Sequence, residues 1–521
     1  MPVSQQAIDK FLAWRPAMPA PVKGRPVDEL VERIEMLCRA SFTPKSVPRP
    51  HQLEALCFAL EQRRALLFLK QRLGKTAVAL YYAEMLRKSG DFTKKGLVIV
   101  PVPVIGDVWE YETEMHTGLK AVAVATQDGQ AALDEALASD ADLIVMSWYT
   151  LQSFYTAKGL PTEKKKGTLK VRLAELIAFA AHFDLVVIDE IHLAKTPASL
   201  RFQIGNTLTW KCPSVLGLTG TPHGRNPYDL WAQAYLVDRG QTLGFNYQFF
   251  RRAFGRQVAN EFAAYGYVVE FDPAKMPLLE RRIGALAISY GWEGYLEVPE
   301  ISRNIVRLHM TGRQAKLYGD AIADLVRAGN SKVSINNIFI RLRQISSGFL
   351  PFKTEEGLDR TIHVSSAKLE WIQELVEEAP PEVRIVVFHD FTETGMALTK
   401  HLDKLKIPHR WLYGGTVDKG RAVRDFQDGS VNVLVAHPQS GGMGIDLSMA
   451  DYMVFLESPV SAVVRQQAEA RPIGDKRNGR PLVVDDLVCS PVEERILEYV
   501  QQGKDLLAEL VYHGADLKGF F

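Results

Sequence analysis

Short unbroken apolar runs, each ending in small, charged or hydroxyl residues and each followed by helical spacing, recur along this chain. Between Ala65 and about Asp238, the runs Ala65 to Leu69, Leu97 to Val100, Leu143 to Met146, Leu185 to Ile188 and Val215 to Leu218 read as strands buried on both faces. Alternation with helical stretches predicts a parallel sheet. The pattern returns after Ser366 in Ile385 to Phe388, Arg410 to Leu412, Val433 to Ala436, Met453 to Leu456 and Leu482 to Leu487. Between them, residues 241–365 carry longer helical patterns at Gly312 to Ala328 and Ile335 to Ile345. Residues 1–45 hold two short helical patterns, Gln5 to Trp14 and Val27 to Ala40, around a stretch that prolines keep extended, Arg15 to Pro26. A last helix is expected over Glu494 to Leu510. The expected fold class is α/β, with parallel sheets in tandem at 46–240 and 366–521, a mainly helical insertion at 241–365 and an N-terminal segment at 1–45.

Composition narrows this picture. A chain of 521 residues is too long for one core, and 47% hydrophobic with 24% charged residues is the profile of a soluble protein. No apolar stretch reaches bilayer length, and Asp9, Lys10 and Arg15 interrupt any signal-peptide pattern, so a cytoplasmic location without membrane contact is expected. The formal net charge of +1 confines any nucleic-acid surface to a local patch. Cys38, Cys57, Cys212 and Cys489 are scattered without CxxC pairing, as expected of small buried hydrophobes in a reducing compartment.

Chemistry concentrates at the ends of the apolar runs. Leu185 to Ile188 stops at Asp189 and Glu190, with His192 two residues on, and parallel sheets place their chemistry at carboxyl strand ends. Upstream, Ala65 to Leu69 leads through Leu73-Gly74-Lys75-Thr76 into a helix, Ala77 to Arg87. Strand, Gly-Lys-Thr turn and helix form a phosphate cradle in which backbone N–H groups and the helix start face the phosphates, Lys75 reaches the outer ones and Thr76 holds magnesium. Asp189 then serves the magnesium and Glu190 orients and deprotonates water, which describes an ATP-hydrolysing site. The run Val215 to Leu218 opens into Thr219-Gly220-Thr221-Pro222, either a plain turn or a place where Thr219 and Thr221 link that site to its neighbours by hydrogen bonds.

Three further stretches admit two readings each. Lys164, Lys165 and Lys166, with Lys170 and Arg172, form a solvated loop or a phosphate-contacting element. The aromatics and arginines of Tyr247 to Phe254 form a packing face or a surface that stacks on bases. Gly441 to Asp446 form a turn or a close backbone approach to a ligand.

The ordered set Arg49-Pro50-His51-Gln52, Leu73 to Thr76, Leu97 to Pro101, Asp189 to His192 with Lys195, Leu218 to Pro222, Arg341 to Gln344, Ile385 to Thr394, Gly441 to Leu447 and Gln467 to Arg471 resembles the Swi/Snf family of superfamily-two helicase-like ATPases, in its compact bacterial and phage form. The resemblance runs from about residue 46 to residue 510. It implies two RecA-like lobes binding ATP and Mg2+, and ATP-driven movement along double-stranded DNA by a monomer. It implies adenine recognition by Gln52, coupling of ATP to motion by His192 with Thr219 and Thr221, and contact of Gln467 and Arg471 with the phosphates, Arg471 as an arginine finger. The alternatives are a helicase-shaped DNA- or protein-binding scaffold, or a strand-separating helicase on single-stranded DNA or RNA. Two places depart from the family pattern. Leu69 and Arg72 stand where the phosphate loop usually has a small or acidic residue and a glycine. The Gln467 to Gly474 segment is two residues short, with Pro472 in the gap, leaving Arg465 and Arg477 as alternatives to Arg471.

Overall fold

The computed structural model describes residues 4–101, 107–158, 169–222, 226–259, 267–295, 299–310, 312–328, 332–353, 359–364, 366–439, 445–474, 477 and 479–503. The chain divides into two compact units, the first ending at Tyr295.

In the first unit the strands are β1 (Arg64–Leu69), β2 (Lys95–Val100), β3 (Ala121–Val124), β4 (Leu143–Ser147), the antiparallel pair β5 (Thr156–Lys158) and β6 (Leu169–Val171), β7 (Phe183–Asp189), β8 (Ser214–Leu218), the antiparallel pair β9 (Gly255–Ala259) and β10 (Tyr267–Phe271), and β11 (Ala287–Tyr290). Seven form one sheet in the order β11-β1-β8-β7-β2-β4-β3, every pairing parallel. Leu66, Leu67, Val186, Ile188, Val215 and Leu216 in its centre are inaccessible to solvent. Burial of each such side chain is worth about 1.5 to 3 kcal/mol, which is why apolar runs become central strands. Register then fixes where chemistry goes. Asp189 aligns with Leu218 and Leu218 with Leu67, so the residues following β1, β7 and β8 emerge together at one rim.

The second unit contains β12 (Ile301–Arg307), the antiparallel pair β13 (Phe349–Lys353) and β14 (Asp359–His363), β15 (Ile385–Phe388), β16 (His409–Leu412), β17 (Val433–Ala436), β18 (Tyr452–Phe455) and β19 (Leu482–Val488). Its sheet runs β12-β19-β18-β15-β17-β16, again all parallel. The two expected parallel sheets are therefore present.

Residues 241–365 are not one separate body. They carry the expected helices Gly312–Ala328 and Lys332–Ser346, but β11 extends the first sheet and β12 the second, so the division between units falls inside this stretch. The N-terminal segment likewise belongs to the first unit. Phe11 packs edge-on against Phe249 at 5.1 Å and Phe254 at 6.3 Å, and the buried Arg282 guanidinium lies over the Phe11 ring at 4.2 Å while donating to the Trp14 carbonyl at 3.1 Å. Phe250 and Phe254 are buried in the same core, so the helix Tyr247–Phe254 presents its aromatics to packing rather than to bases. The closing helix spans Pro491–Gln501 and ends in a turn at Gln502 and Gly503, earlier than the expected Glu494 to Leu510 helix; residues 504–510 of that expectation, the lysine run 164–166 and residues 441–444 lie outside the described residues.

One buried group in the second unit makes its stability pH-dependent. His389, at the end of β15, receives the Trp411 indole N–H on Nε2 at 3.0 Å, so its proton sits on Nδ1 and is donated to the Phe391 carbonyl at 2.9 Å. Both nitrogens are committed to the neutral ring. Burial, opposed by the Phe391 carbonyl and the Asp390 charge and aided by His437 beside it, pushes His389 down to about 4. A histidine depressed below its ordinary value contributes stability above about pH 6.5 that is lost as pH falls toward 4, here about 3 kcal/mol at pH 4. Urea unfolding between pH 7 and 5 should show this loss, and His389→Phe should flatten it. An equally steep dependence in the variant would assign the effect to other groups.

Candidate active site

The loop between β1 and the helix Lys75–Ser89 is held in a defined shape. Gly74 has φ +76°, and a Cβ there would stand 2.0 Å from Gln52 Nε2, so glycine is required both for the left-handed turn and for the approach of Gln52. Arg72 also lies in the left-handed region, at φ +70°, where a side chain is strained. Lys75 Nζ reaches back to donate to the Leu69 carbonyl at 3.2 Å, and Thr76 follows in the first helical turn, half-buried.

Two residues of the helix Pro50–Gln62 grip this loop from behind. Gln52 Nε2 and His51 Nε2 both reach the Leu73 carbonyl, at 3.3 and 3.0 Å. Gln52 Oε1 accepts the Arg49 N–H at 2.8 Å, closing the start of its own helix. Both ends of the Gln52 amide thus bind protein, one of them the phosphate loop. His51 has its pKa lowered, chiefly by burial.

At the end of β7 the chain turns sharply, with Glu190 at φ +47°. The turn places the Glu190 carboxylate in a buried network. Oε2 accepts from Thr219 Oγ1 at 3.0 Å and from His192 Nδ1 at 3.0 Å, while Thr219 Oγ1 in turn accepts the Thr221 N–H at 3.1 Å. Nδ1 of His192 is also 2.9 Å from Thr219 Oγ1, so one N–H is shared between the two oxygens. Burial works to raise the Glu190 carboxyl, but the His192 hydrogen bond, the Lys75 charge and Thr219 together hold it below the usual range. Asp189 is pushed up to about 7 by burial and by the Glu190 charge, with Lys75 opposing. The opposite shifts of adjacent carboxyls follow from their partners: Glu190 has two donors, and among the described residues Asp189 accepts only the Glu190 backbone N–H, at 3.0 Å. Glu190 Oε1 and Thr221 Oγ1 are buried without a hydrogen-bond partner among the described residues. Buried polar atoms of this kind usually face water or a ligand.

The turn after β8 completes the rim. A Cβ on Gly220 would meet both the Leu69 carbonyl and the Gln71 side chain at 3.1 Å, so Thr219-Gly220-Thr221 lies directly against the phosphate loop. The first unit therefore brings together Gln52, Leu73, Gly74, Lys75, Thr76, Asp189, Glu190, His192, Thr219 and Thr221. Gln467 and Arg471 belong to the second unit. Gln467 is half-buried on the helix Ala462–Glu469, and Arg471 donates from Nη2 to the Pro438 carbonyl at 2.5 Å. The alternatives to Arg471 are committed elsewhere: Arg465 is buried against Asp486, and Arg477 is buried with its guanidinium donating to the Ala450, Arg480 and Pro481 carbonyls.

Residues 51–348 match the model of the SNF2-related domain, and residues 367–473 match the helicase conserved C-terminal domain. A protein designated p41 of Acyrthosiphon pisum secondary endosymbiont phage 1 is 22% identical over 490 residues, covering 89% of this chain and 97% of its own. CHROMATIN REMODELING 4 of Arabidopsis thaliana is 24% identical over 512 residues, covering 92% of this chain and 22% of that protein. The ISWI chromatin-remodeling complex ATPase ISW1 of Saccharomyces cerevisiae is 25% identical over 345 residues, 62% of this chain and 29% of that protein. The chain thus spans less than a third of the length of these last two. The solved SWI2/SNF2 ATPase core of Sulfolobus solfataricus in complex with dsDNA is 20% identical, covering 92% of this chain and 96% of that chain, with a TM-score of 0.39. With more than half of the chain matched by the first domain model, and the rim of β1, β7 and β8 lying inside that match, the chain belongs to the SNF2-related family, the Swi/Snf group of superfamily-two helicase-like ATPases.

Proposed function

We propose that this chain hydrolyses ATP at the rim of its first sheet and uses the reaction to move along double-stranded DNA. The observation that carries the reading is the buried Glu190–His192–Thr219 network beside Asp189 and Lys75. A carboxylate kept ionised by two donors, with its second oxygen unsatisfied, is suited to orient and accept a proton from water. Lys75, with the N–H groups of the loop and helix start, neutralises the phosphates. Thr76 and Asp189 would hold Mg2+, which neutralises charge on the β- and γ-phosphates when bound. The donor set fits: the Asp189 carboxyl, raised by burial and by the Glu190 charge, is an oxygen ligand whose ionised form a divalent cation would favour. Gln467 and Arg471 are the second unit's candidates for contact with the triphosphate.

Translocation on duplex DNA rests on family membership. The deciding experiment measures ATP turnover of the full chain with duplex DNA, single-stranded DNA and RNA side by side. Duplex DNA should stimulate most, and Lys75→Ala should remove turnover while DNA binding persists. DNA affinity should fall steeply with salt, since backbone-tracking contacts release counterions. No nucleic-acid-stimulated turnover in the unmutated protein would leave the binding-scaffold reading instead.

A further inference from the structure

Beyond the residues of the motifs, the phosphate loop is held by an indole contributed more than two hundred residues downstream. Trp292 follows the edge strand β11 and lies three residues before Tyr295, where the first unit ends. Its Nε1–H donates to the Gln71 carbonyl at 2.9 Å, and Lys70 Nζ lies over its ring at 5.8 Å. β11 is in turn anchored to the same loop, since Lys70 N–H donates to the Tyr290 carbonyl at 3.1 Å.

The consequence follows from peptide geometry. In a trans peptide the carbonyl and the next residue's N–H point in opposite directions, and no cis peptide occurs among the described residues. Fixing the Gln71 carbonyl toward Trp292 turns the Arg72 N–H to the other side. Fixing the Leu73 carbonyl toward His51 and Gln52 does the same for the Gly74 N–H. Between these two, the Leu73 N–H donates to the Lys70 carbonyl at 3.3 Å, which makes Arg72 the left-handed third residue of a Lys70–Leu73 turn, and N–H groups presented at left-handed residues are the kind that line an anion-binding nest. At Gly74 that turn is free of steric cost, whereas at Arg72 it is strained and persists only where the surroundings over-determine it.

We propose that Trp292 is a positioning residue for the triphosphate: its indole N–H holds the Gln71–Arg72 peptide in the orientation that phosphate binding needs, replacing the freedom a glycine would have given at position 72. The inference rests on the ATP-site reading above and adds a residue to it. Trp292 acts on binding, through the backbone, and not on the chemical step.

The test is Trp292→Phe, which keeps a ring and removes the N–H, measured alone and together with Arg72→Gly in the full-length chain. ATP affinity by direct binding, and KM for ATP in the duplex-stimulated assay, should weaken about five- to tenfold, the scale of one lost hydrogen bond, with kcat changed less than twofold. Arg72→Gly in the same chain should restore affinity to within about twofold of Arg72→Gly alone, because glycine adopts the left-handed turn unaided. Unchanged ATP affinity in Trp292→Phe, or a loss that Arg72→Gly fails to rescue, would overturn the proposal and leave Trp292 a packing residue. An unmutated protein that binds no ATP would overturn the site reading itself, a result distinguishable from either.

Discussion

Glu190→Gln should lower nucleic-acid-stimulated ATP turnover by about a thousandfold, within the range for removing a positioned general base, while ATP and DNA still bind. The amide keeps the shape of the carboxylate and can still accept from Thr219 Oγ1 and His192 Nδ1, so the rim should retain its geometry. What it loses is charge. The Glu190 carboxyl is held below the usual range against strong burial, so the fold invests in an ion at this position. It also accepts a left-handed backbone at φ +47° to put that ion there. Strain of this kind costs about 1 to 3 kcal/mol and collects where function requires it. The substitution should lower stability slightly, since a carboxyl held below its usual range is one whose charge the folded site favours. ATP turnover with duplex DNA, tryptophan-monitored unfolding and a DNA-binding titration on the same preparation separate these effects. Residual turnover above a tenth of the unmutated rate would remove Glu190 from the chemical step and send the search for a base elsewhere on the rim.

Much of this site was legible in the sequence because central strands of a parallel sheet are continuous apolar runs, and the break in each run marks its carboxyl end. Ile188-Asp189 and Leu218-Thr219 are such breaks, and register brings them together with the end of β1. The edge strands β11 and β12 carry no such mark. Ala287 to Tyr290 is half-buried with Ser289 exposed, and Ile301 to Arg307 is mostly exposed, so both read as parts of an insertion although each completes a sheet. That is why the expected boundaries at 241 and 365 differ from the observed division. The supports of the phosphate loop were unreadable for a different reason. His51 sits beside Gln52 and could have been suspected from its helix position. Trp292 contacts Gln71 across 221 positions of sequence, and no local pattern encodes that contact. The conformation of Arg72 was half visible: a residue standing in a glycine's place suggests altered backbone, yet the structure keeps the glycine's φ and strains the arginine to do so.

Arg465→Ala should destabilise the second unit by about 3 to 5 kcal/mol, the cost of leaving buried charge without its partner. Arg465 lies on the helix Ala462–Glu469 with almost no exposed surface. Its guanidinium forks onto Asp486 of β19, at 2.5 and 2.9 Å, while Nε donates to Glu469 at 2.7 Å. Its flat face lies 3.5 Å above the Phe455 ring of β18. One cation therefore joins a helix to two central strands and neutralises two carboxylates, Asp486 being as inaccessible as the arginine. Burial works to lower its pKa, but Asp486 and Glu469 together raise it, so the charge is fixed in the folded unit. Truncation would strand Asp486 inside the sheet, and the expected loss is a large part of the roughly 5 to 15 kcal/mol that holds a typical domain together. Arg465→Met with Asp486→Leu removes both buried partners and should recover most of that loss, since an apolar pair of similar volume can replace a buried ion pair at little cost. Urea unfolding of the full-length chain, with protease susceptibility of the second unit as a second readout, gives both values. An Arg465→Ala chain with an unchanged midpoint would show that this arginine is not structural and would restore it as an alternative to Arg471; a midpoint shifted in the single variant and recovered in the double fixes Arg465 as the brace of the helix that carries Gln467.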